Sequence, residues 1–272
     1  MAARFWVGGA GTWDTTDTSH WASATNGTPG ATVPTSADTV TFDAASGSGT
    51  ITVNGNHSIA SFTCSFGAGL TFDWSVNNNN LNCGDVTGAG NFTINSASAN
   101  TLKLGNGTFT VGGWVVPSTA LTFDAGNATI VMADPSSTSN DKVFLATSAN
   151  APKYVVFGPL DGIQGVALST NSFITNLSII KPCRVKLSAS VVLTLSTLSM
   201  TEARNKAIEF IGVGSTIGGL SMASGTIEFN WAAIRAIAFQ GGATFKANNS
   251  LDLGLNTGIT FSPPRSGLIL GG

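Results

Sequence analysis

Thr39-Val40-Thr41-Phe42-Asp43, Thr50-Ile51-Thr52-Val53 and Ser58-Ile59-Ala60-Ser61-Phe62 decide the fold. Apolar residues alternate there with Thr, Ser or Ala, the period of a strand with one buried face. The pattern extends outward through Asn91-Phe92-Thr93-Ile94, Thr101-Leu102-Lys103-Leu104, Thr108-Phe109-Thr110-Val111 and Thr129-Ile130-Val131-Met132. It resumes at Val185-Lys186-Leu187, Val191-Val192-Leu193-Thr194-Leu195, Thr226-Ile227-Glu228-Phe229 and Ser250-Leu251-Asp252-Leu253. Gly, Asn, Ser or Pro fills nearly every gap, and these residues permit turns. The spacing predicts roughly twenty short strands about ten residues apart, compatible with a sandwich, a barrel or a solenoid.

Composition agrees with an all-β chain. Of 272 residues 42% are hydrophobic, 10% are charged and 33 are glycine. Disordered chains combine low hydrophobicity with high charge, and helical bundles need charged surfaces, so both classes are excluded. A net charge of −2 supplies no clustered cations for nucleic acid. No apolar run approaches the roughly 18–20 residues of a membrane span, so membrane insertion is not expected. Cys64, Cys83 and Cys183 are odd in number and lack metal-ligand spacing, which predicts reduced, packed thiols. Charge is uneven: residues 1–100 hold one base and six acids, whereas residues 101–272 hold eleven bases and eight acids. Solvation of the first part by Ser, Thr and Asn explains this; different partners at the two ends is the sharper alternative.

Degenerate repetition selects among the β architectures. Thr-Phe-Asp recurs at residues 41–43, 71–73 and 122–124, each time after an apolar residue. A parallel β-helix tolerates such uneven spacing, because extra residues bulge from turns while strands keep stacking. With three strands per coil, about seven to nine coils and a core near 40 Å are expected. The asparagines at 77–80 and 248–249 fit ladders of stacked side chains. The fold predicted is a single-domain parallel β-helix with an aromatic N-terminal cap. The alternative is an antiparallel sandwich or barrel, favoured by Asn54-Gly55 and Asn106-Gly107, which read as hairpin turns. Helix is expected only at Thr201-Glu202-Ala203-Arg204-Asn205-Lys206-Ala207 and Trp231-Ala232-Ala233-Ile234-Arg235-Ala236. Residues 1–45 are assigned to the cap and first strands and 46–261 to the solenoid body. Residues 262–272 are assigned to an extended arm, since Pro263-Pro264 cannot continue a ladder.

The first 21 residues hold three of the six tryptophans, in Phe5-Trp6-Val7-Gly8-Gly9-Ala10-Gly11-Thr12-Trp13-Asp14 and His20-Trp21. Large rings folded over the first coil would shield its open end. A tryptophan platform for glycans is the functional alternative. Pro34 and Asp38-Thr39-Val40-Thr41-Phe42 follow. The stretch resembles the opening of β-helical passenger regions in bacterial autotransporter-type surface proteins, W-x-G-G-x-G-x-W-[DN]…W and then a proline and D-x-V-x-F. Trp6, Gly8, Gly9, Gly11, Trp13, Asp14, Trp21, Pro34, Asp38, Val40 and Phe42 carry the match. A similar opening occurs in tailed-bacteriophage proteins of unassigned or structural role, whose N-T-G-x-x-F end resembles Asn256-Thr257-Gly258-Ile259-Thr260-Phe261. The autotransporter pattern leads to the expectation of a signal peptide and a C-terminal membrane barrel, and these residues read as neither, so the phage proteins are taken as the closer likeness. That resemblance implies a virion protein made in the host cytoplasm and released by lysis.

Chemistry is sparse. Polysaccharide-cleaving β-helices need two or three carboxylates, or carboxylates with Lys or Arg, on one groove, and Asp43, Asp73 and Asp124 share a context that could align them. Strand-end turn bonding by Asp explains all three more simply. Asp14, Asp17 and His20 could crowd a cation, but Asp and Thr also cap turns, and no metal is expected there. His20 and His57, the only histidines, lie near no nucleophile elbow, and Gly212-Val213-Gly214 and Gly218-Gly219 lack a phosphate-loop ending. No catalytic, cofactor-binding or metal-ligating residues are therefore assigned. The expected role is a non-enzymatic tail fibre, spike or host-adsorption (receptor-binding) protein. A capsid decoration protein, a tailspike depolymerase and a secreted adhesin are the alternatives. Expected partners are other virion proteins and further copies of the chain, a homotrimer foremost, with a host surface glycan as a further ligand.

Overall fold

The computed structural model describes residues 2–65, 69–85, 88–94, 100–117, 121–134, 142–160, 165–180, 183–201, 207–214 and 216–262. Their regular structure is thirty short strands and two 3-10 turns, Ala44–Ser46 and Ser148–Asn150. The strands stack in parallel as a β-solenoid of about eight turns, with partial coils at either end. This is the parallel β-helix that the alternation and the repeats predict.

One coil shows the construction. Thr39–Phe42 lies in a twelve-stranded sheet (sheet A), Gly49–Val53 in a five-stranded sheet (B) and His57–Ile59 in a ten-stranded sheet (C). The chain then returns to sheet A at Ser61–Cys64, parallel to Thr39–Phe42 with Val40 opposite Phe62. Sheet A runs from Trp21–Ala22 and Ala3–Trp6 at one end to Leu251–Asp252 at the other. Sheet B stops at Thr122–Asp124. Beyond it the sheet C strands lengthen, as in Ser172–Ile179 and Val192–Met200, and those coils close with two strands instead of three. A three-stranded sheet (D), built from Thr226–Asn230, Thr244–Asn248 and Thr260–Phe261, restores a third side near the C-terminal end.

Register explains both the core and the uneven repeat. Val40, Phe62, Phe92, Trp114 and Phe144 pair rung to rung in sheet A, and all five are fully buried. Strands about 4.8 Å apart bring like side chains to stacking distance. Accordingly Phe62 and Phe92 stack at 4.5 Å, and Phe92 and Trp114 at 4.6 Å. In sheet B, Thr71 pairs with Thr101, which pairs with Thr122. The second Thr-Phe-Asp interval is therefore two coils, with Thr101-Leu102-Lys103 as the divergent copy between.

Three expectations are corrected. Asn54-Gly55 and Asn106-Gly107 are not hairpin turns. The first joins Gly49–Val53 of sheet B to His57–Ile59 of sheet C, and the second joins Thr101–Lys103 to Thr108–Val111. A coil corner needs the same permissive backbone as a hairpin turn, and Gly55 sits at φ 112. Among the described residues only Trp21–Ala22 against Ala3–Trp6, and Gly88–Ala89 against Leu81–Asp85, pair antiparallel. Residues 231–236 are not helical either. Ala232–Arg235 is a strand between Ile208–Gly212 and Leu251–Asp252, with Trp231 (φ 57) and Ala236 (φ 54) as left-handed corners. Burial of Ala232, Ala233 and Ile234 in the sheet overrides their helix propensity. The other predicted helix lies largely outside the described residues.

Candidate functional site

The N-terminal motif builds the cap. Trp6, Trp13 and Trp21 are fully buried, and Trp21 meets Trp6 and Trp13 edge to face at 5.1 and 5.4 Å. Gly8 and Gly9 take φ 92 and 76, turning the chain so that Trp6 Nε1 donates to the Gly9 carbonyl at 2.8 Å. A Cβ on Gly11 would lie 2.4 Å from His20 Nε2, so only glycine lets that ring lie flat on Trp6, at 4.5 Å. His20 Nδ1 donates to the Val7 carbonyl at 2.9 Å. His57 packs on Trp13 at 4.7 Å and its Nε2 donates to the Trp13 carbonyl at 3.3 Å. Burial pulls the His57 pKa down, against smaller opposing contributions from the Trp13 carbonyl and Asp14. The tryptophans thus face inward as the sealed end of the core, and a glycan platform on Trp6, Trp13 or Trp21 has no exposed ring to use.

The aspartates turn the chain. Asp14 Oδ1 accepts from the Asp17 and Thr16 amides, which holds its carboxyl below the usual range. Asp17 accepts from Ser19 and is lowered likewise. Burial works to raise Asp38, but bonds from Thr35 and Ala2, and Arg4 beside it, prevail and lower it. Asp43 ends a sheet A strand and caps Ala44–Ser46. Asp73 and Asp124 lie in one sheet B column with Lys103 between them. Burial of Asp73 is outweighed by its bonds from Ser75 and by Lys103, 3.5 Å away, which lower its pKa. Asp124 accepts from the Gly126 amide at 3.0 Å. The structure therefore aligns Asp73 and Asp124 two rungs apart on sheet B and leaves Asp43 apart at the end of a sheet A strand, and each makes the turn bond read from its strand-end position.

The cysteines are buried and unbridged. Burial raises Cys83 strongly and pushes Cys183 up to about 12. No three His, Cys, Asp or Glu side chains group as a metal site requires among the described residues. No described helix is long and apolar enough to cross a membrane.

Two surface features escape the sequence reading. Leu251, Leu253 and Leu255 are 46%, 51% and 58% exposed on the last coil, and Leu255 sits in the left-handed region at φ 61. Of residues 262–272 only Ser262 is described, its amide donating to the Ala247 carbonyl at 2.8 Å; the rest of the expected arm lies outside the described residues. The second feature is Tyr154, an exposed ring on the outer face of sheet C. Its being the chain's one tyrosine was the only signal available. No family model, curated protein or solved structure matches the chain.

Proposed function

We propose that the chain is a non-enzymatic structural component of a tailed-bacteriophage virion, of the tail-fibre, spike or host-adsorption kind. The observation that carries this reading is the opening motif folded as a dry cap on a β-solenoid with few surface charges. A stiff rod whose surface relies on Ser, Thr and Asn more than on charge suits a particle that persists outside a cell. The exposed leucines at the opposite end suit attachment to another virion protein or to further copies of the chain, a trimer foremost. Asp73 and Asp124 share a sheet B column, but both are engaged in turn bonds, and Asp43 lies on another sheet, so the structural role is favoured.

Quantitative mass spectrometry and labelled imaging of purified particles test the proposal. A few copies at the tail are expected. Hundreds of copies on the shell would make it a decoration protein, and absence from particles would end the virion reading. Incubation of the purified chain with host surface polysaccharide should release no reducing ends or unsaturated sugars. Release that disappears in Asp73→Asn or Asp124→Asn would restore the depolymerase.

A further inference from the structure

Tyr154 is the most exposed aromatic ring among the described residues, at 38%. Its outward column in sheet C runs Thr108, Thr129, Tyr154, Asn176 and Thr197, each paired with the next. Every other member offers a hydroxyl or an amide. Thr197 Oγ1 donates to Asn176 Oδ1 at 2.7 Å, and Asn176 Nδ2 donates to the Lys153 carbonyl at 2.9 Å, so the amide above the ring is held in one orientation. Beside this column Val131 and Val156 lie in register and partly exposed. Along its other border Lys153 Nζ lies 5.4 Å from the Tyr154 ring centre and donates to Asn127 Oδ1 at 2.5 Å.

The strip thus has an apolar centre one ring wide, hydrogen-bonding groups one rung above and below it, and a cation at its border. A pyranose has the complementary make-up: an axial C–H face that stacks on an aromatic ring, surrounded by hydroxyls that exchange hydrogen bonds. The rung spacing, about 4.8 Å, is close to the length of one sugar unit in an extended chain. A linear glycan lying along the solenoid axis would therefore meet one side chain of this column per sugar unit, the ring once and hydrogen-bonding groups on either side of it.

We propose that this strip binds a linear oligosaccharide parallel to the solenoid axis. Tyr154 stacks against one pyranose, and Thr129, Asn176 and Lys153 contact the neighbouring units. The proposal rests on the host-adsorption reading only for where the glycan comes from.

Saturation-transfer NMR on the full chain tests it with four hexasaccharides: cellohexaose, maltohexaose, chitohexaose and hyaluronan hexamer. Transfer to contiguous ring C–H protons of at least one probe is expected. Tyr154→Ala should weaken that probe about tenfold, Tyr154→Phe should retain most of the affinity, and both should melt as the parent does. No transfer to any of the four, or undiminished binding by Tyr154→Ala, would overturn the proposal. Loss of the virion reading leaves this outcome untouched, because the binding measurement uses the isolated chain.

Discussion

Trp13 shows how much one residue of the opening motif carries. It is fully buried, touches Trp21, His57, Phe42, Phe62 and Trp74, and its indole N–H has no partner among the described residues. Its contribution is packing, so Trp13→Ala should cost about 3–5 kcal/mol, read as a lower denaturation midpoint. Trp13→Phe should cost much less, whereas Trp6→Phe also forfeits the bond to Gly9. An unchanged midpoint in Trp13→Ala would mean that the ring does not close the core. His57, packed on the same indole, makes the cap sensitive to acid. Its folded pKa is lowered from 6.5, so the folded state favours the neutral ring. Its contribution is therefore complete above the unfolded pKa and declines as the pH falls below about 6.5 toward the folded value. The cap also holds His20 on Trp6, Arg4 beside Asp38, the lowered carboxyls of Asp14, Asp17 and Asp38, and the Asp43 carboxyl. Thermal melts should fall from pH 7 to about 5 in the parent and stay level in His57→Phe. The carboxylates govern only the more acidic range, because lowered carboxyl pKa values release stability below about 4. A parent curve flat down to pH 5 would contradict the buried neutral imidazole.

Coil corners, like strands, are held by side chains acting on the next coil. Asn56 Oδ1 accepts from the Asn80 amide at 2.8 Å, and Asn80 Oδ1 accepts from the Thr108 amide at 2.7 Å. Asn78 Oδ1 likewise accepts from the Asn106 amide, and Asn127 Nδ2 donates to Asn106 Oδ1. These bonds satisfy amides at the corners and at the first residue of the strand Thr108–Val111, so Asn80→Ala should lower stability by about 0.5–1.5 kcal/mol in a denaturant titration. Asn80→Asp keeps an acceptor and should lose less. Equal losses in the two would place the contribution outside the bond to Thr108. The corner role of the asparagines at 77–80 was legible because a run of Asn has much use in a turn, whereas Asn248 of the second run ends the strand Thr244–Asn248. Strand identity was legible too, from the alternation of Val, Ile, Leu and Phe with Thr. Register was not. Thr101-Leu102-Lys103 keeps the apolar period of the Thr-Phe-Asp copies while changing two of three residues, and turns of unequal length hide the period. Trp231 and Ala236 misled for a related reason: both occupy left-handed corners where Gly or Asn is usual, so the strand between them read as helix. Tyr154 could not be placed beside Thr129 and Asn176 without that same register.

The two ends of the whole molecule differ in kind. At one end an antiparallel strand and three buried tryptophans close the core. At the other, Leu251–Asp252 ends sheet A and Thr260–Phe261 ends sheet D, and nothing among the described residues pairs with their outer edges. Exposed strand edges invite further pairing, and charge is one of the means by which proteins discourage it. Here the last sheet A strand carries Asp252 between exposed Leu251 and Leu253, with Leu255 just beyond. A leucine more than half exposed in the left-handed region is both strained and poorly hydrated, and contact with another protein surface would relieve the second cost. Association through this end would bury apolar area rather than join exposed charges, and ionic screening acts on the charges alone. Light scattering on the purified chain should therefore give the same oligomer mass in about 0.05 and 1 M salt, where the Debye length shortens several-fold. Leu253→Asp combined with Leu255→Asp should yield a folded monomer and prevent incorporation into particles. Each new carboxylate would have to be desolvated in the contact, at a cost well above the apolar burial it replaces. Dissociation by salt in the parent, or full assembly of the double variant, would move the contact away from the leucine end and onto the charged faces of the solenoid.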